Sequence, residues 1–192
     1  MKALQRFTPV QRALHWLMAI AIVAMLFIGV GMVSTIEPLY LTLVSIHKPL
    51  GITILVLAVL RLIVRLRRGS PPLPPDMPEV MKLAAGLSHV ALYVLMIALP
   101  LIGWAMLSAA DYPVYMLGAR LPPLLAPSNA AHTLLWNAHR FLALSFFALI
   151  LLHFAAGLFH ALVRRDGVFE AMSLAPGDSS PQPLITDTKR PL

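Results

Sequence analysis

Four long stretches of this chain carry little or no formal charge, and each is long enough to cross a bilayer. A helix needs about 20 apolar residues to traverse the hydrocarbon core, where every backbone polar group must be satisfied internally. Ala13–Val33 is 21 residues without a formal charge. A second stretch begins at an Ile46–His47–Lys48–Pro49 turn and runs to about Leu66, with Pro49 tolerable in a first helical turn. Arg61 and Arg65 fall near its end, where long side chains snorkel. Leu83–Ala110 is uncharged and holds Pro100 and Gly103, and the last stretch includes the uncharged run Phe141–Val163. The expected fold is therefore all-α, an integral membrane four-helix bundle with spans of about 10–33, 47–66, 83–110 and 130–163.

The intervening sequence agrees. Residues 69–78 contain Pro71, Pro72, Pro74, Pro75 and Pro78 and cannot be helical throughout. Asp111–Pro127 is another proline-bearing connection, with Tyr112 and Tyr115 suited to a membrane interface. Only 12% of the residues are charged, against about 25% in soluble domains, so water is the wrong solvent for this chain. Residues 1–172 are expected to form one domain. Residues 173–192, rich in Pro, Ser and Asp, are expected to be a disordered cytoplasmic tail. The basic start ahead of Ala13 imitates a secretory signal, but the apolar run is too long and no small-x-small cleavage site follows.

Basic residues mark sidedness. Lys2, Arg6, Arg12, Arg61, Arg65, Arg67, Arg68, Lys82, Arg164 and Arg165 fall on one side of the spans, while Lys48, Arg120 and Arg140 fall on the other. Positive charge marks the cytoplasm, which puts both termini there. The net charge of +7 is topological: the basic residues cluster at the ends of apolar runs without the aromatic interleaving of a nucleic-acid surface. There is no cysteine. Disulfides, iron–sulfur clusters, thiolate-ligated haem and covalent haem attachment through Cys-x-x-Cys-His are excluded.

Seven histidines occur, several within spans. Ionisable groups at membrane depth are costly and mark function, although a neutral histidine can also bond a neighbouring helix's carbonyl. His139 and His153 stand 14 residues apart on the last helix. They share nearly one face and are about 21 Å apart along the axis, enough for two stacked porphyrins near opposite surfaces. His15 lies at the cytoplasmic end of the first span and His47 at the periplasmic end of the second. Depth thus pairs His15 with His153 and His47 with His139. The residue one turn after each is small: Ala19, Gly51, Ala143 and Gly157. A flat macrocycle needs such room. After His89, His132 and His160 the same place holds Tyr93, Trp136 and Arg164.

The runs Leu14–His15–Trp16–Leu17, Ile46–His47, Gly51–Leu57 with Arg61–Leu62 and Arg65, Gly86–Leu87–Ser88–His89 with Tyr93 and Ile97–Pro100, and Leu152–His153 with His160 and Asp166 resemble bacterial cytochrome b561. The likeness covers roughly residues 8–172. It implies that His15, His47, His139 and His153 are axial ligands of two b haems. It also implies an activity known in that family, in which superoxide is oxidised at the periplasmic face and electrons pass to ubiquinone. A haem b subunit of a periplasmic dehydrogenase or hydrogenase is the nearest alternative, and a non-redox four-helix transporter or scaffold is the alternative of another class.

Two imidazoles saturate iron, which suits electron transfer rather than oxygen binding. Haem propionates seek cations at the membrane surface. Lys48 and Arg140 adjoin the periplasmic ligands, and Arg61 and Arg65 are the cytoplasmic candidates. His160, with His89, is expected to border a quinone site, because quinone reduction needs a proton donor and histidine titrates in the right range. His132 receives no role. The expected partners are membrane lipid, quinone, and a small-molecule or protein electron donor; a homodimer is compatible with the sequence, and nucleic acid is not expected.

Overall fold

A computed structural model describes residues 6–174. Four helices are long and apolar enough to cross a membrane. α1 spans Pro9–Ser34, α2 Leu39–Arg68, α3 Glu79–Ala109 and α4 Asn129–Phe159, and a π-helical turn, His160–Arg164, extends the last. A short α5, Val168–Met172, follows. The all-α membrane bundle is as expected, with one small addition. The connection between α3 and α4 holds a two-stranded antiparallel hairpin, β1 (Tyr115–Met116) and β2 (Ala119–Arg120). Leu117 and Gly118 both take positive φ at its tip, as a two-residue turn matched to strand twist requires.

The boundaries follow local chemistry. Thr8 caps α1: its hydroxyl accepts from the Gln11 amide, the Gln11 side chain accepts from the Thr8 amide, and Pro9 occupies the first helical position. Gln11 also donates to the Gly69 carbonyl at 2.9 Å, tying α1 to the end of α2. Replacing Thr8 by Ala is expected to lower stability by about 1 kcal/mol, measured by denaturant titration in detergent. Gly69 ends α2 at φ 72°, donating to the Arg65 carbonyl. Arg65, Arg67 and Arg68 fill that last turn, where cations complement the helix dipole. Ser128 caps α4 through Ala131 and donates its own amide to Ala109 at the end of α3.

The second span departs from expectation. α2 begins at Leu39, well before the turn expected at Ile46–Pro49, and Pro49 lies inside it. The proline removes one backbone donor. The Thr53 hydroxyl donates to the Pro49 carbonyl and the Ser45 hydroxyl to the Thr42 carbonyl. Both bonds lie within the helix, which continues through the proline. His47 is consequently a helical residue rather than a turn residue. Residues 175–192, most of the expected tail, lie outside the described residues.

α1 packs on α2, α2 on α3 and α3 on α4, while α1 and α2 share no comparable interface with α4. At mid-depth a buried apolar cluster joins all four helices: Met18 and Ile22, Ile54 and Ala58, Leu92, Met96 and Leu99, and Phe146. Large apolar side chains elsewhere face outward, as Ile20, Phe27, Leu144 and Phe154 do. That is the pattern of helices solvated by lipid.

Both described ends of the chain meet at one end of the bundle. The Phe7 amide donates to the Ala171 carbonyl, Arg6 and Arg12 donate to the Ser173 carbonyl, and the Trp16 indole donates to the Met172 carbonyl. This terminal end also holds the α2–α3 connection. The opposite, hairpin end holds the α1–α2 and α3–α4 connections. There Trp104 donates to the Pro122 carbonyl, and the Ser108 hydroxyl accepts from Leu124 while donating to Trp104.

Candidate functional site

Positions seven residues apart on each helix sort the interior into layers. Seven residues are about 10.5 Å of helix rise and nearly two whole turns, so one face is kept. In the middle layer Ile22, Ile54, Met96 and Phe146 meet in the apolar cluster. Seven residues toward the terminal end stand His15, Arg61, His89 and His153. Seven residues toward the hairpin end stand His47, Gly103 and His139. Two polar layers are thus separated by an apolar one with Phe146 at its α4 position.

At the hairpin end the rings of His47 and His139 have centroids 6.2 Å apart, with planes inclined at 69°. A cavity beside them is lined by both histidines together with Lys48, Gly51, Gly103 and Trp104. Gly103 is needed there: a Cβ at this position would stand 3.3 Å from His139 Cε1. At the terminal end His15 and His153 have centroids 6.3 Å apart, with planes inclined at 71°. His89 also approaches His153, at 5.6 Å. The terminal layer is therefore a trio where the sequence suggests a pair.

A bis-imidazole metal centre has definite dimensions. With metal–nitrogen bonds of about 2 Å and roughly 1 Å from nitrogen to ring centre, opposed rings lie about 6 Å apart. Both His15–His153 and His47–His139 meet that distance. The Nδ1 atoms of His15 and His47 are buried without a hydrogen-bond partner. That of His139 lacks a bond of acceptable geometry, although the Leu99 carbonyl is near its ring. Unpartnered buried polar atoms are costly and call for a ligand. His89 differs. Its Nδ1 lies 2.6 Å from the Ala85 carbonyl oxygen, which can only accept, so that nitrogen carries the proton. Each pair offers a metal two nitrogens. A metal held that way must bring the rest of its coordination with it, as a porphyrin does. Packing between α4 and the helices bearing the partner histidines is sparse beside the α1–α2 and α3–α4 interfaces, which leaves a seam for a flat group. The residues fit haem.

The proposed propionate partners divide. Lys48 lines the hairpin-end cavity. Arg140 is exposed and does not line it. Arg61 lies over the Tyr93 ring, 5.6 Å from its centroid, and within electrostatic reach of His15, His89 and His153. Arg65 is within such reach of His89. Of the small residues after each histidine, Gly51 does line the cavity beside His47. Gly157 is instead approached by Phe169 of α5, whose Cδ2 would stand 4.0 Å from an added Cβ. His132 holds the Met106 carbonyl through Nδ1 at 3.1 Å and stacks obliquely near Trp136.

His160 stands apart from the trio, in the π-helical turn. Its Nδ1 lies 2.8 Å from Asp166 Oδ2, which also accepts from Arg164 Nε at 2.8 Å. Asp166 Oδ1 accepts from the Val168 amide. Burial favours the neutral acid, but the bonds from Arg164, His160 and Val168 outweigh it and hold the Asp166 carboxyl below the usual carboxylate range. Arg164 further reaches Asp76 in the α2–α3 connection at 3.1 Å. The sequence does not reveal this network, because Asp76 and Asp166 are remote in the chain. Gly103 and Met96 could have been found from the seven-residue spacing with His89.

Comparison with known proteins identifies the architecture. The family model for prokaryotic cytochrome b561 matches residues 6–173. This chain belongs to that family. It is 30% identical over 172 residues to Cytochrome b561 homolog 1 of Escherichia coli (strain K12), covering 88% of this chain and 97% of the relative. It is also 30% identical to Cytochrome b561 homolog 2 of the same organism, covering 88% and 91%. A third relative, "Probable superoxide oxidase CybB" of Yersinia pestis, is 32% identical over 127 residues, 66% of this chain and 72% of that protein. The chain is accordingly a multi-pass bacterial membrane cytochrome of the b type, which binds haem b and transfers electrons.

Proposed function

We propose that this cytochrome holds two b haems, one between His15 and His153 and one between His47 and His139, and carries electrons from a periplasmic donor to ubiquinone. The carrying observation is the pair of opposed histidine couples, centroids 6.3 and 6.2 Å apart, at the two ends of one bundle. Haem supplies one-electron chemistry when bound. The chain supplies neutral imidazole nitrogens, an apolar layer that excludes water between the two sites, and surface cations. Lys48 serves the hairpin-end propionates and Arg61, with Arg65, the terminal-end ones. In this reading the protein lies in a bacterial inner membrane with the terminal end in the cytoplasm and the hairpin end in the periplasm, an orientation that the count of basic residues favours.

Superoxide is the donor favoured here, because one relative carries that activity in its name. Lys48 and Arg120 would give the periplasmic face a field attracting an anion. His160, with His89 in the same terminal half, borders the quinone site and supplies a proton to the reduced product.

Two measurements test this. A dithionite-reduced minus oxidised spectrum with a haem count should give two b haems per chain; a haem-free preparation that is folded would remove the proposal. Replacing His160 by Gln should slow superoxide-driven ubiquinone reduction by about a hundredfold with both haems kept. An unchanged rate would remove His160 from the quinone site.

A further inference from the structure

Asp166 takes no part in holding haem in the reading above, yet three donors converge on its carboxylate. It is 7% exposed, and His160, which it meets at 2.8 Å, is 12% exposed. The backbone is shaped to make this meeting. The π-helical turn ends at Arg165 with φ 51°, its amide donating to the His160 carbonyl, and Gly167 follows at φ 80°. Two left-handed residues flanking Asp166 fold the chain back on itself, so that a residue six positions on in sequence meets the His160 ring at Nδ1. Single π turns inside helices occur frequently at functional sites.

We infer that Asp166 is the positioning residue of the quinone site: it holds His160 with Nδ1–H on the carboxylate and leaves Nε2 as the nitrogen that meets substrate. This rests on the quinone reading of His160. A carboxylate accepts only, so Nδ1 must carry a proton. Asp166 also balances the charge of the ring when both nitrogens are protonated. Arg164 of the same turn holds the carboxylate in place and is anchored in turn by Asp76, which is 72% exposed. α5 contributes the Val168 amide, and its one charged side chain, Glu170, is exposed.

The chemistry balances. Converting quinone to quinol takes up two electrons, delivered from the donor, and two protons. The doubly protonated His160 gives its Nε2 proton to one quinone oxygen; that N–H bond breaks and an O–H bond forms. Water supplies the proton at the other oxygen and later reprotonates Nε2, while Nδ1–H stays on Asp166 throughout.

His160 and Arg164 both meet Oδ2, and Val168 meets Oδ1. An asparagine with its carbonyl toward His160 and Arg164 keeps those two contacts. It exchanges the charged acceptor for a neutral and weaker one, so the hold on Nδ1–H and the balancing charge are lost together. The test uses full-length D166N, D166E and H160Q in liposomes, with superoxide and short-chain ubiquinone. For D166N we expect both haems and an unchanged reduced spectrum, KM for quinone within about twofold, and kcat down at least about tenfold. D166E should regain most of the rate. If D166N turns over at the native rate while H160Q is slow, the inference is overturned and the quinone reading stands. If both run at the native rate, the quinone reading itself fails. Should D166N not fold, 15N spectra of the histidine-labelled native chain, with H160Q assigning the signal, decide. A proton resident on Nδ1 of His160 supports the inference and a proton resident on Nε2 overturns it.

Discussion

Purified His139→Ala protein is expected to retain one b haem of the two proposed for the native chain, with the His15–His153 site still reducible by dithionite. The reason is geometric. His47 loses the only ring opposite it, 6.2 Å away, and no other imidazole is placed to replace it. The terminal layer lies about 21 Å away along α4, beyond the apolar cluster around Phe146, so the damage should stay local. His153→Ala should remove the other haem, and the double variant both. Haem quantified against protein mass checks this, and the surviving site should keep its own spectral band. The trio adds a sharper demand. His15→Ala should lose the terminal-end haem while His89→Ala keeps both, because the His15 and His153 rings stand 6.3 Å apart, at the spacing of opposed ligands, whereas His89 lies closer to His153 at 5.6 Å. The reverse result would transfer the ligand role from α1 to α3.

The second large effect needs no ligand to be touched. Gly103→Val should lose the hairpin-end haem while both His47 and His139 remain. A Cβ at position 103 would stand 3.3 Å from His139 Cε1, tighter than ordinary van der Waals contact, and 3.5 Å from its Nδ1. The two further carbons of valine must push the ring aside or fill the cavity that His47, Gly51 and Gly103 share. Either way the opposed geometry is lost. Gly103→Ala should show a partial form of the same defect, with weaker haem retention. A valine variant that keeps two haems with native spectra would show that nothing occupies the space beside His139.

Much of the architecture was legible because a membrane leaves few choices. Uncharged runs of helical length, proline-rich breaks and asymmetric basic residues are coarse signals that tertiary packing rarely overrides. The start of α2 was not legible. Pro49 reads as a boundary, yet the helix that begins at Leu39 runs through it, and no residue pattern announces that. The proximity of the four proposed ligands followed from depth and facing along each helix. The nearness of His89 to His153 did not, since it depends on how α3 leans toward α4. Arg140 adjoins His139 in sequence, but neighbouring helical residues point about 100° apart, and Arg140 is exposed. The Asp166 contact was hidden for a different reason: it needs two left-handed residues, Arg165 and Gly167, whose conformations no periodicity announces.

The clasp between the chain ends has a consequence for variation. Arg6, Arg12 and Trp16 grip carbonyl oxygens of residues 172 and 173, and Phe7 grips that of residue 171. A carbonyl is common to all twenty amino acids. What is recognised is therefore reach rather than identity: the polypeptide must extend to residue 173 and return along the strap, whichever side chains it carries. Drift in the lettering of this segment leaves the clasp intact, whereas shortening it would untie α1, with His15, from α4, with His153, where the bundle's own packing is sparse.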